Sequence, residues 1–168
     1  MAEWERIDEE GADVAAIYQS YIIPLAGISV LANFIGLSII GSDGIRAPFF
    51  GGLLQVIVSF GAACAGVYVV ALIINALAPQ FGAKDEFGQA FKLAAFFPTA
   101  GWVGSTFLVL PALWFLALIG WLYSLYLLYV GLPKLMKPAA EKSMTYVGAV
   151  IGCSVVIGIL VSLIRWAI

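Results

Sequence analysis

The chain has no histidine and little charge of either sign: 11% of its residues are Asp, Glu, Lys or Arg. Without histidine there is no His-based zinc site and no Ser-His-Asp triad. Phosphate-loop and dinucleotide fingerprints are missing as well. The eight basic residues form no stripe, so nucleic-acid binding is not expected. The two cysteines, Cys64 and Cys153, sit in apolar stretches without metal-ligand spacing and read as small packing residues. No catalytic residue, metal ion or cofactor is expected. Lys84-Asp85-Glu86 reads as a charged loop before a helix, whose amino end favours acidic groups. Charge disappears altogether from Leu93 to Pro133. That stretch is too long for one membrane crossing and about right for two, since one crossing takes ~20 apolar residues.

What is present is apolar. Hydrophobic residues make up 63% of the chain, and mean hydropathy is +1.06; soluble domains are ~45–50% apolar. A water-soluble core of this length could not hide so much apolar surface. The expected fold is all-α: a polytopic integral membrane protein, a bundle of five transmembrane helices that satisfy their own backbone groups. Spans are expected at about 17–40, 50–77, 91–109, 111–130 and 146–164. Residues 16–168 form the membrane domain, preceded by an acidic head at 1–15.

The pI near 4.9 comes largely from that head, which holds Glu3, Glu5, Asp8, Glu9, Glu10 and Asp13. It reads either as a short surface helix or as a solvated tail. It lacks a basic n-region and is not read as a signal peptide, so the first apolar segment is expected to stay as a span. No lipidation motif is seen. Turns are expected at Gly41 to Gly44, with Arg46 and Pro48 following, at 79–87, at Pro111, and from Gly131 to Thr145. Pro98 should kink the third span near Phe97. With the amino terminus in the cytoplasm, Arg6, Lys84, Lys92, Lys134, Lys137 and Lys142 face inward and Arg46 and Arg165 outward. The positive-inside bias favours that orientation, with the carboxyl terminus on the periplasmic or extracellular side.

Glycine is frequent inside the spans, and small residues let helix backbones approach closely in lipid. Gly148-x-x-x-Gly152 is the cleanest pair; Ala62 and Gly66 give a weaker one, and Gly61 is a further candidate. Their partner is either a helix of the same chain or another copy. Asn33, Gln55, Asn75 and Thr99 are polar groups in hydrocarbon that need partners or water. They read as interhelical hydrogen bonds or as a polar path for a solute. No charged residue lies near the centre of any span, which weakens ion-coupled transport. Tyr123, Tyr126 and Tyr129 read as an interfacial belt beside Lys134 and Lys137.

Several pieces in order carry a resemblance. They are Trp4-Glu5-Arg6-Ile7, then Tyr21-Ile22-Ile23-Pro24-Leu25-Ala26, then the run from Tyr123 to Met136 with Tyr126, Tyr129, Gly131, Pro133 and Lys134, and finally Glu141-Lys142 and Tyr146. Together they resemble the Yip family (Ypt-interacting-protein domain) in its compact bacterial form. The resemblance implies five spans, a cytosolic amino terminus and residence in a bacterial inner membrane. It supplies no catalytic residues. Eukaryotic members are linked to Rab-type GTPases, but this head lacks the Asp-Leu-Tyr-Gly-Pro piece found in them, which argues against a Rab-type GTPase as partner. The expected function is a non-enzymatic membrane organiser or scaffold acting through helix association, with membrane lipids, other copies or other membrane proteins as partners. The alternative is an oligomeric channel or transporter of small solutes or ions.

Overall fold

Backbone amides inside hydrocarbon have no water to bond, and this chain is helical almost throughout. The structure, a computed structural model, describes residues 2–9, 11, 13–41 and 48–167. The turn expected at 42–44 and Arg46 lie outside the described residues, as do the side chains of Arg165 and Trp166. The described helices are α1 (Ala2–Glu9), α2 (Val14–Ile40), α3 (Phe49–Leu77), α4 (Phe87–Phe96), α5 (Thr99–Thr106), α6 (Trp114–Leu135) and α7 (Ser143–Ala167). Short 3-10 turns occupy Ala78–Phe81, Phe107–Val109, Pro111–Leu113 and Ala140–Lys142. Three helical stretches among the described residues are long and apolar enough to cross a membrane unaided: Val14–Ile40, Phe50–Phe81 and Trp114–Leu135.

Helix α2 opens on Asp13, whose carboxylate accepts the Ala16 N–H at 3.1 Å, a side-chain cap on an otherwise bare donor. It carries two wide π-type stretches, Tyr18–Ile22 and Ile35–Ile40. The second ends at Gly41, whose φ of 78° only glycine adopts at no cost. Helix α3 starts directly after Pro48. The bend expected near Phe97 is a full interruption between α4 and α5, with Pro98 at φ −78°, ψ −1°. Helix α6 runs past Val130, through Pro133, to Leu135. Proline removes one hydrogen bond there, but Leu132 and Leu135 are fully buried, and their packing holds the last turn. The Lys84 N–H then meets the Met136 carbonyl at 2.8 Å and ties the two loops at this end together.

The most extensive contact is the α5–α6 hairpin. Glycines make it possible. A Cβ on Gly120 would fall on the Ala100 carbonyl oxygen, one on Gly104 would lie 2.8 Å from the Leu116 carbonyl oxygen, and one on Gly101 would meet the Trp121 ring at 2.8 Å. Helix α2 lies against α5 and α3, and α3 against α4 and α7. Gly36 seats the second π stretch on the Leu108 carbonyl, and Gly52 seats α3 on Ser38 and Phe34. The densest core lies at the end of the bundle that carries α1: Trp4, Ile22, Ile74, Phe91, Leu93, Leu128, Leu132, Leu135, Tyr146 and Val150 are all buried. Away from it, Leu31, Leu54, Ile57, Leu118, Ile119 and Leu122 stand exposed, as side chains facing lipid must.

Gly120→Ala should therefore lower stability by ~1–3 kcal/mol through overpacking. Gly148→Ala, with open space above it, should leave it unchanged or slightly raised, because alanine favours helix. Thermal unfolding in detergent checks the opposite signs.

Candidate functional site

The acidic head is a docked helix. Trp4 and Ile7, on one face of α1, are 6% and 9% exposed. The Trp4 ring lies where a Cβ on Gly131 would come, 2.8 Å away, so glycine at 131 makes the seat for the indole. Glu5 pairs with Lys134 at 2.7 Å and Asp8 with Lys137 at 2.5 Å. Lys92, on α4, is 2% exposed. Its ammonium donates to the Ile7 carbonyl at 2.7 Å, and the Gln89 side-chain amide donates to the Asp8 carbonyl at 3.2 Å. These two side chains satisfy the last carbonyls of α1, the end where a cation also suits the helix dipole.

Magnitudes rank these contacts. Burying a tryptophan removes ~150–250 Å² from water, worth a gross ~4–6 kcal/mol. Exposed ion pairs add ~0–1 kcal/mol each. Trp4 supplies the attraction, while the lysines set register and orientation. The Lys134 hydrogen bond holds the Glu5 carboxyl below its usual value, and the Asp8 hydrogen bond holds the Lys137 ammonium above its usual value.

Of the family-motif residues, Gly131 and Lys134 thus receive the head, and Pro133 lies in the same last turn of α6. Tyr126 and Tyr129 point outward, 55% and 45% exposed. The expected polar group divides. Asn33 and Gln55 line one cavity of about 430 Å³, together with Ser29, Ser38, Ser59 and Ser105. Asn75 lies elsewhere, donating its amide N–H to Asp85 at 2.9 Å. Thr99 sits at the α4–α5 interruption. It donates to the Phe96 carbonyl at 2.5 Å, so the Tyr21 hydroxyl, 2.6 Å from Thr99, is the donor of that pair. Gly61, Gly66, Gly148 and Gly152 have nothing within 4 Å of where a Cβ would stand. Gly66 lines a second, apolar cavity of about 540 Å³ with Ala62, Val67, Trp102, Trp121 and Val155.

Sequence reasoning missed the role of Lys92, counted above only among the inward-facing charges. Its signal was the position of Gln89 three residues earlier, one turn away on the same helix face. The roles of Ser124, Tyr18 and Tyr146 had no signal, because each bonds a distant backbone atom. Ser124 accepts the Gly101 N–H at 2.7 Å, Tyr18 donates to the Cys64 carbonyl at 2.9 Å, and Tyr146 donates to the Ile74 carbonyl. Among the described residues no group of three or more His, Cys, Asp or Glu is placed to hold a metal ion.

A helical, polytopic membrane protein whose short amphipathic head is seated on a Gly-Leu-Pro-Lys turn is the class that this geometry defines. Residues 1–163 match the Yip1 domain, and the chain belongs to that family. It is similar to the inner membrane protein YohC of Escherichia coli K12, with 25% identity over 163 residues that cover 92% of this chain and 84% of YohC. It is equally similar to YohC of Escherichia coli O6:H1. No solved structure matches it.

The head should dock most tightly within a pH window. Glu5, with its lowered pKa, contributes above its ordinary value of 4.5, and that contribution is lost as pH falls through the lowered one. Lys137, with its raised pKa, contributes fully below 10.5 and loses its contribution as pH rises through the raised one. Hydrogen exchange of amides 2–9, corrected for intrinsic rate, should be slowest inside this window and quicken beyond either edge. Trp4→Ala should quicken it at every pH.

Proposed function

We propose that the chain is a non-enzymatic, inner-membrane organiser of the Yip type that acts by helix association. Five crossings fit the described helices: α2, α3, the broken α4–α5 pair, α6 and α7. Residues 1–15 then form a cytoplasmic head on a membrane domain of 16–168. The amino terminus is cytoplasmic and the carboxyl terminus lies on the far side, as the lysines around α1 favour. The name of the similar YohC supports the inner membrane as location.

One observation carries the association reading. Gly36, Gly52, Gly101, Gly104, Gly120 and Gly131 are pressed against neighbours within the chain, whereas Gly148 and Gly152 of α7 and Gly61 of α3 stand clear. The Gly148 and Gly152 pair sits four residues apart on one exposed face, where a second helix can approach. Its occupant is another copy of this chain or another membrane protein; a Rab-type GTPase is not part of this reading. The alternative, an oligomeric channel or solute carrier, is favoured only by Asn33 and Gln55 sharing a cavity.

Native mass spectrometry in gentle detergent tests the reading. Wild type should show a multimer or a co-purifying membrane partner. Gly148→Leu with Gly152→Leu should abolish it without unfolding the chain, since a Cβ at either position has nothing within 4 Å. A strictly monomeric wild type without a partner would contradict it. Solute flux into liposomes that falls in Asn33→Leu would favour the alternative.

A further inference from the structure

The two cavities are neighbours: Ser59 of α3 lines both. Their linings differ sharply. The first, at the end of the bundle away from the head, presents the hydroxyls of Ser29, Ser38, Ser59 and Ser105 and the amides of Asn33 and Gln55. The Ser38 hydroxyl oxygen is fully buried and has no hydrogen-bond partner, a state that costs free energy unless a ligand or water supplies the bond. The second cavity is lined almost wholly by apolar groups, including Val67, Val70, Phe97, Leu128 and Ile151. Among the described residues neither cavity is lined by a charged side chain.

We propose that the paired cavities bind one lipid with an uncharged, hydroxyl-bearing head, such as a diacylglycerol. The head fills the serine and amide cavity, and an acyl chain runs past Ser59 into the apolar one. Size and direction agree. The first cavity falls within the usual ~300–1,000 Å³ of ligand sites. From Ser59 to Val70 the helix rises ~16 Å at 1.5 Å per residue, a groove of chain length. The polar cavity reaches Pro48 at the start of α3, where a lipid head belongs, and the apolar one lies deeper. A phosphate head has no counter-charge among the described lining residues, and burying a charge unpaired is far more costly than burying a hydroxyl. The interruption at Pro98 contributes directly, since Phe97 and Pro98 form part of the groove wall.

Native mass spectrometry of the purified full chain, with lipids added at equal concentration, tests this. Dioleoylglycerol should give a one-to-one adduct at least about tenfold more abundant than dioleoylphosphatidylglycerol, and free glycerol should give none. Asn33→Leu, at the head end, and Val155→Trp, filling the tail end, should each lower the dioleoylglycerol adduct about tenfold, equivalent to ~1.4 kcal/mol. Equal binding of the anionic lipid, binding of free glycerol alone, or an adduct indifferent to either variant would overturn the proposal. The comparison of head groups needs no variant and decides even if one fails to fold.

Discussion

Hydrocarbon gives a bare peptide group nothing to bond, and where the helix breaks at Pro98 and where α1 ends, side chains supply the missing bonds. At the α4–α5 interruption, Pro98 lacks an N–H and the turn opens. Thr99 returns a hydroxyl to the Phe96 carbonyl, Tyr21 supports Thr99, and Ser124 reaches from α6 to the freed Gly101 N–H. Lys92 and Gln89 likewise supply partners for carbonyls at the end of α1. Tyr18 of α2 and Tyr146 of α7 each donate to a carbonyl of α3 and tie those helices to it. Each of these bonds joins two elements, so satisfying the backbone and fixing the tertiary arrangement are one and the same act.

Glycine sets where such side chains can reach. Gly104 and Gly120 let α5 and α6 touch backbone to backbone, which brings Ser124 within bonding distance of Gly101. Gly131 leaves room for the Trp4 ring, which draws α1 onto Lys92. The two pieces that carry the family resemblance most clearly, Trp4 to Ile7 and Gly131 to Lys134, are therefore two halves of one contact. Gly61, Gly66, Gly148 and Gly152, by contrast, have nothing within 4 Å of where a Cβ would stand. Leu37 and Ser38 of the second π stretch line the polar cavity, and Phe97 and Pro98 at the interruption line the apolar one.

Much of this was legible in the chain. Long uncharged runs expose membrane helices because burial of charge in lipid is so unfavourable, and Pro98 announced its interruption because proline cannot donate. The end of α6 was misplaced, since Pro133 and Gly131 look like breakers until the burial of Leu132 and Leu135 is known. The head stayed ambiguous between helix and tail for the same reason: its stability comes from Trp4 meeting a glycine far along the chain. Asn33 and Gln55 were recognisable as polar groups in lipid. Their grouping with four serines, and the separation of Asn75 and Thr99 from them, depends on helix rotation, which a nearly uniform apolar sequence does not encode in its periodicity.

The central claim is that side chains from neighbouring helices stand in for the backbone bonds that Pro98 removes. A double-mutant cycle on unfolding free energy in detergent, pairing Pro98→Ala with Ser124→Ala, tests it most directly. Ser124→Ala alone should cost ~1–3 kcal/mol, the cost of a buried donor left without a partner. In the Pro98→Ala background, where a continuous helix can bond its own Gly101 N–H, the same change should cost less than half as much. Strictly additive effects of the two substitutions would contradict the account.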